Sequence, residues 1–174
     1  DMGRLLVKSL NDKYSLYVNV SEPIKDKNNV DTWKIKVETR PEQKNLPQRI
    51  NIDVCSTNSY EKRPMMLLNP YGINMGTSGL IIQAQSLEEI YTDKLLAFAF
   101  RPNRIKYRDL WDILWLHGQT IKPNIMLLPK KLEERKFTLE YFFDSFRNRR
   151  ILLVQGDKML LEFKQEMRCF LPAE

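Results

Sequence analysis

The hydrophobic period of the chain changes at Ser86. Before this residue, short segments alternate apolar and polar side chains at every second position, as half-buried strands do. After it, apolar residues recur every three or four positions, as they do on one face of a helix. Strands that are segregated from helices are typical of the α+β class. The sequence therefore predicts an α+β fold with a sheet region over residues 1–85 and a helical region over residues 86–174.

Strand signals follow one another in the first region. Three segments rich in β-branched and aromatic residues are predicted strands: Tyr14–Val20, Thr32–Thr39 and Arg49–Cys55. The second is the clearest, because Trp33, Ile35 and Val37 alternate with charged residues. An irregular loop is expected over residues 56–79, and a short fourth strand at Gly79–Gln85. Consecutive strands of this kind predict a largely antiparallel meander.

Helix signals fill the second region. Ser86 and Glu89 have the S-x-x-E spacing of a capping box, and Pro102 lies just past the end of the helix that they begin. Three more helices are expected: about Tyr107–His117, Pro129–Phe146 with a candidate break near Thr138, and Asp157–Arg168. In the last two of these helices, the residues expected to face the core are Leu139, Phe142, Phe143, Phe146, Leu160, Phe163 and Met167.

Charge and rare residues limit the classes of function. The formal charge of +6, from 28 basic and 22 acidic residues, favours a polyanionic partner such as nucleic acid, a nucleotide or an acidic protein. A basic surface without such a partner explains it equally well. One histidine and two distant cysteines make a zinc site or a Cys–His nucleophile a poor candidate. No apolar run approaches the roughly 20 residues of a membrane span, and the composition suits a reducing cytoplasm.

Lys94 is the exceptional residue of the first helix. It stands seven positions after Leu87 and four before Phe98, which places it on the apolar stripe. A lysine there either extends its ammonium group to water along the helix edge or binds an anion, for which phosphate is the obvious choice.

Acidic and basic side chains surround the start of the next helix. Asp109 lies in its first turn, where it either stabilises the helix dipole or points into a cleft. The basic run of Arg101, Arg104, Lys106 and Arg108 either meets phosphate or forms a solvated loop. In the sheet region, Asp53 lies on the polar face of the third strand, where it either faces solvent or holds Mg²⁺.

These residues belong to a recognisable string. The segment IYTDKLLAFAFRPNRIKYRDLWDILWL resembles the signature of the AbiEii/AbiGii toxin family, nucleotidyltransferase-like proteins of abortive-infection and type IV toxin–antitoxin systems. The family pattern is a lysine in K-L-x-A, an arginine soon after, and R-D-L-x-D at the start of the next helix. Here these positions are Lys94–Ala97, Arg101 and Arg108–Asp112.

The resemblance implies a polymerase-β-like nucleotidyltransferase fold and a site built on it. Lys94 would contact the triphosphate of an NTP, with Arg101 and Arg108 also binding the nucleotide, and Asp109 would be an active-site acid. Asp53 would be a strand carboxylate that binds Mg²⁺. The nucleotide would go to an RNA end, plausibly tRNA, or to a protein, and a cognate antitoxin protein is an implied partner.

One departure from the family pattern matters for activity. Neither the Gly-Gly/Ser-Thr turn nor the D-x-D carboxylate pair occurs in these 174 residues. We therefore expect the chain to be the C-terminal portion of an AbiEii-like nucleotidyltransferase toxin and to be catalytically inert by itself. The alternatives are a non-catalytic module that binds protein or RNA and a purely structural domain.

Overall fold

The computed structural model describes residues 2–23, 30–38, 47–69, 72, 76–154 and 157–171. The chain forms two compact units, residues 1–58 and 59–174. Each unit combines helices with antiparallel strands, so the expected α+β class is confirmed. The expected division into a sheet region over residues 1–85 and a helical region over residues 86–174 stays a prediction.

The first unit is a helix followed by a three-stranded antiparallel meander. Its elements are α1 (Met2–Tyr14), β1 (Tyr17–Ser21), β2 (Val30–Glu38) and β3 (Gln48–Cys55). The strand order is β1-β2-β3, with Val18 opposite Val37 and Val20 opposite Ile35. Ile35 and Val37 are buried, which confirms the predicted alternation of β2. Their cluster packs against Leu6 and other apolar side chains of this unit.

The second unit begins with a hairpin of β4 (Lys62–Met66) and β5 (Ile81–Gln85), in which Met65 lies opposite Ile82. The prediction of a fourth strand is confirmed by β5. The strand β4 lies within the segment that the sequence assigned to an irregular loop. Its central Pro64 and lack of alternation hid it, and proline is tolerated because this strand is an edge of a two-stranded sheet.

Among the described residues, five α-helices follow the hairpin: α2 (Leu87–Phe100), α3 (Tyr107–Gly118), α4 (Leu128–Glu134), α5 (Leu139–Val154) and α6 (Asp157–Met167). A 3-10 turn, Ile125–Leu127, directly precedes α4. The break near Thr138 is confirmed, and the Thr138 hydroxyl oxygen accepts a hydrogen bond from the Tyr141 amide at the start of α5. None of the helices among the described residues is long and apolar enough to cross a membrane.

The helices α5 and α6 bury a narrower stripe than expected. Phe142 and Met167 are buried, but Leu139, Phe143 and Leu160 are 46%, 52% and 59% exposed. The inward placement of these three residues was wrong because each helix packs along one edge of its apolar face.

Helix α2 is the centre of the second unit. Leu96 and Ala99 form a core with Leu128, Leu132 and Phe142, whereas Phe98 packs in a second cluster with Ile105 and Tyr107. The helix is therefore buried on more than one side, which places the side chains of Lys94 and Arg101 at the edge of a rigid element.

Candidate functional site

Four charged side chains meet where α2 packs against α3. Lys94 and Arg101 are seven residues apart, which is two turns, so they lie on one side of α2. Asp109 and Asp112 are three residues apart in the first turns of α3 and face them. We call these four residues the interhelical charge cluster. Its formal charges sum to zero, so each cation is balanced within the cluster.

Asp109 is the buried member of the interhelical charge cluster. It is 1% exposed, and the Arg101 guanidinium group binds both of its oxygens, with Nε donating to Oδ2 at 2.6 Å and Nη2 to Oδ1 at 3.1 Å. A paired fork of this kind is among the stronger charged contacts in proteins. These bonds fix the loop between the two helices. The assignment of Asp109 as an active-site acid stays a prediction.

Lys94 is the cation of the cluster whose nearest partner is a solvent-exposed carboxylate. Its side chain is 31% exposed, and its ammonium nitrogen lies 2.5 Å from Oδ2 of Asp112 and 3.7 Å from Oδ1 of Asp109. The side chain of Asp112 is 40% exposed. An ion pair that is open to solvent is weak, so an anion can compete for this ammonium group.

The structure joins only part of the basic run to the cluster. Arg101 belongs to it through Asp109, but the Arg104 guanidinium group pairs with Glu166 of α6 at 3.0 Å. Arg108 is exposed, one residue before Asp109, and among the described residues its side chain forms no ion pair with the cluster. The nucleotide-binding roles of Lys94, Arg101 and Arg108 stay predictions.

Asp53 lies in the first unit, on β3. Its Oδ1 accepts a hydrogen bond of 2.8 Å from the hydroxyl group of Thr32, which stands opposite on β2. The side chain is exposed. Within the part of the chain that the structure describes, no group of three or more His, Cys, Asp or Glu side chains is arranged to hold a metal ion. The assignment of Asp53 as a ligand of Mg²⁺ stays a prediction.

A second cluster of charged side chains was not predicted from the sequence. Glu89 and Asp93 of α2 face Lys131 of α4, whose ammonium nitrogen lies 2.7 Å from Oε1 of Glu89 and 2.9 Å from Oδ2 of Asp93. Lys131 is 1% exposed and Glu89 is 0% exposed. A signal did exist: acids four apart on one helix and bases four apart, at Lys131 and Arg135, on another. We call Glu89, Asp93, Lys131 and Arg135 the buried ion cluster.

Glu89 also ties the hairpin to α2. The capping box is confirmed in one half, because the Ser86 hydroxyl oxygen accepts a hydrogen bond from the Glu89 amide at 3.1 Å. The Glu89 carboxylate instead accepts bonds from the amides of Tyr60 and Glu61. Burial alone would raise the pKa of Glu89, but the bonds from Lys131 and these amides lower it to about 2. Glu89 is therefore charged and structural.

Comparison with known proteins identifies the family. Searches of curated proteins and of solved structures gave no match. A family model described as "Nucleotidyl transferase AbiEii toxin, Type IV TA system" matches residues 7–173, which is nearly the whole chain. The match spans the α2–α3 region that carries Lys94, Arg101 and Asp109, and it agrees with the resemblance found in the sequence. The chain belongs to the AbiEii family of nucleotidyl transferase toxins of type IV toxin–antitoxin systems.

Proposed function

We propose that this chain contributes the phosphate-binding part of a nucleotidyltransferase toxin, with Lys94 as the residue that contacts the triphosphate of an NTP. The acceptor of the nucleotide is an RNA end or a protein, and a cognate antitoxin protein restrains the toxin. The observation that carries the proposal is the solvent-exposed ion pair of Lys94 with Asp112, beside a buried Asp109 that Arg101 holds with two hydrogen bonds.

The cluster suits reversible binding of phosphate. An arriving triphosphate would replace Asp112 as the partner of Lys94, because both groups of that ion pair are open to solvent. Asp109 would not move, since its carboxylate is buried and held by two bonds from Arg101. We therefore assign Asp109 and Arg101 the role of positioning residues. Arg108, exposed one residue before Asp109, is available as a second cation for phosphate.

The reaction places a defined demand on these residues. In nucleotidyl transfer, the oxygen of an acceptor hydroxyl group forms a bond to the α-phosphorus of the NTP and releases its proton to water. The bond from that phosphorus to the oxygen that bridges it to the β-phosphorus breaks. Pyrophosphate leaves with an additional negative charge. A lysine held at the phosphates stabilises that charge, and such electrostatic contributions are commonly the largest in catalysis. The packing of α2 against its neighbours supports this role, because it keeps Lys94 at a constant position.

Mg²⁺ belongs to this proposal only as an expectation from the family. The carboxylates of the described residues do not gather into a metal site, and Asp53 has only the Thr32 hydroxyl group as its recorded partner. We assign no step of the reaction to residues that would hold the ion.

Binding of a fluorescent NTP analogue to the chain, in the presence of Mg²⁺, tests the role of Lys94. Lys94→Ala is expected to weaken binding about tenfold or more, because a hydrogen bond to a charged group contributes roughly 1.5–3 kcal/mol. Lys122→Ala is the matched control, since Lys122 is an exposed lysine in the loop after α3. Asp112→Asn is expected to strengthen binding, because it removes the competitor for Lys94. Equal affinity of the Lys94 variant and the control would refute the assignment.

Transfer itself is tested with the full-length gene product, radiolabelled NTPs and total RNA. Lys94→Ala and Asp109→Asn are expected to lose labelling and toxicity, with circular dichroism used to confirm that each variant is folded. If both variants label and kill as the parent does, the proposed function is wrong.

A second function is favoured by one observation. The 174 residues contain no D-x-D carboxylate pair, and a non-catalytic module that docks RNA or protein needs none. The same binding experiment discriminates, because such a module would bind its partner without any dependence on NTP.

A further inference from the structure

A groove opens beside the C-terminal end of α2, where α5 passes it. The cavity has a volume of about 350 Å³ and is lined by Phe100, Phe137, Tyr141, Ser145, Asn148 and Arg149, among others. This volume lies within the range of ordinary small-ligand pockets. Arg101 also lines the groove, and the same residue binds Asp109. The groove and the interhelical charge cluster therefore share a residue.

Aromatic rings form one wall of the groove. The rings of Phe100 and Phe137 stack with centroids 4.3 Å apart, and Tyr141 stacks on Phe100 at 5.5 Å with only 14° between the ring planes. Phe100 is anchored against the core of the second unit. Tyr141 is 53% exposed and Phe137 is 38% exposed. A rigid ring stack with an open face is the kind of surface on which a nucleobase stacks.

Polar and cationic groups form the rest of the groove. Arg149 is held in place because its Nη2 donates to the carbonyl oxygen of Arg101 at 2.5 Å. Ser145 and Asn148 present a hydroxyl and an amide, which bond to base edges of either donor or acceptor type. Arg150 is exposed next along α5. Among the described residues, neither Arg149 nor Arg150 forms an ion pair, so no neighbouring carboxylate competes with an anion for these guanidinium groups.

We propose that this groove binds the acceptor as a single-stranded RNA end, with a base stacked on Tyr141 and the backbone phosphates near Arg149 and Arg150. The inference rests on the proposed function, since it names where the acceptor strand lies. RNA is preferred to a lone NTP because Arg150 lies outside the groove lining, next to Arg149, and offers a second guanidinium group for a further phosphate of a strand. Single strands are preferred to duplexes because stacking on a ring requires an unpaired base.

The test is fluorescence anisotropy of the chain with a labelled single-stranded RNA of about twelve nucleotides, within the usual site sizes of single-strand binders. Tyr141→Ala is expected to weaken binding about tenfold, because it removes the ring. Tyr141→Phe keeps the ring and is expected to bind like the parent. Phe143→Ala is the matched control on the same helix, because Phe143 is equally exposed but does not line the groove. Arg149→Gln is expected to reduce both the affinity and its dependence on salt.

Each outcome supports or overturns the inference independently of the transfer reaction. Excess unlabelled NTP is expected to leave the RNA bound, and a duplex of the same sequence is expected to bind more weakly. Displacement of the RNA by NTP, with the same dependence on Tyr141, would assign the groove to the base of the nucleotide instead. Equal binding by Tyr141→Ala and Phe143→Ala would refute a base-stacking role. Failure of Lys94→Ala to affect NTP binding would refute the proposed function and leave this RNA measurement unchanged.

Discussion

Glu89→Gln should lower the free energy of unfolding of the second unit strongly while hardly changing the volume of the side chain. Glutamine has nearly the same size as glutamate, so no cavity arises. The charge that balances Lys131 disappears, however, and Lys131 is 1% exposed. Asp93 remains at 2.9 Å as its partner, but that carboxylate is 29% exposed and is shared with Arg135. The ammonium group therefore stays buried with a weaker counter-charge.

The magnitude follows from the pKa of Glu89. Its fall from 4.5 to about 2 corresponds to about 3 kcal/mol of stability, at about 1.4 kcal/mol for each pKa unit. Removal of one partner from a buried ion pair lowers the free energy of unfolding by a comparable amount, roughly 3–5 kcal/mol. We therefore expect the free energy of unfolding to fall by about 3 kcal/mol at neutral pH.

The assay is urea unfolding followed by tryptophan fluorescence, since Trp111 and Trp115 both lie in the second unit. The midpoint should fall by about 1–3 M, given a typical urea dependence of roughly 1–3 kcal/mol per molar for small proteins. Glu133→Gln is the control, because Glu133 is exposed on α4 and its loss should change stability little. Coinciding midpoints for the two variants would refute the reasoning.

The pH dependence of the same pair of proteins gives a second check. The pKa of Glu89 is depressed on folding, so its contribution is complete above about pH 4.5 and is lost as the pH falls towards 2. The difference in stability between the parent and Glu89→Gln should shrink over that range. The double variant Glu89→Gln/Lys131→Met should recover part of the loss, because it no longer buries an unbalanced ammonium group.

Other substitutions in the second unit have equally definite consequences. Arg101→Lys removes the paired fork on its buried carboxylate partner and should cost about 2 kcal/mol by urea unfolding, whereas Arg104→Lys, at a solvent-exposed ion pair, should be nearly neutral. Leu96→Ala should cost about 2–5 kcal/mol, because the side chain is 2% exposed, and Leu114→Ala, at 53% exposure, should change stability little. Burial and the bond to a carboxylate raise the pKa of Tyr107 to about 12. An alkaline absorbance titration should therefore show one tyrosine that ionises near pH 12 and disappears in Tyr107→Phe, and the stability that this tyrosine contributes should be complete below about pH 10 and decline above it.

The sequence predicted those parts of the fold that depend on local chemistry. The S-x-x-E capping signal at Ser86 and the alternation around Ile35 and Val37 are decided by neighbouring residues, and both are found in the structure. The strand β4 was missed because Lys62–Met66 has neither alternation nor β-branched residues. It exists through its pairing with β5 and through the bonds that Glu89 accepts from the preceding residues, which are 28 or more positions away in the chain.

In the candidate site, too, the sequence predicted what depends on neighbouring residues and missed what depends on distant ones. Spacing along α2 and α3 indicated Lys94 and Asp109 as candidate site residues. In the structure, the Lys94 ammonium nitrogen lies 3.7 Å from Oδ1 of Asp109. Spacing could not reveal that Asp109 is buried under Arg101, because that depends on how the loop between the helices returns. Nor could spacing distinguish the role of Lys94 from that of Lys131, since both are lysines within helices. The pairing of α2 with α4 that buries Lys131 is a property of the folded unit.

The comparison of these two lysines separates a structural charge from a functional one. Each lysine belongs to a charge cluster that includes residues of α2, and each lies within 4 Å of two carboxylates. The ammonium group of Lys131 is enclosed, so exchange of its partners would require the helices to separate. Lys94 is 31% exposed and its nearest partner is itself open to water, so exchange requires only a rotation of side chains. The buried ion cluster fixes one side of α2, and the Arg101–Asp109 pair fixes another. A helix held on two sides can present one exchangeable cation at a constant position, which is the property that binding of a triphosphate demands.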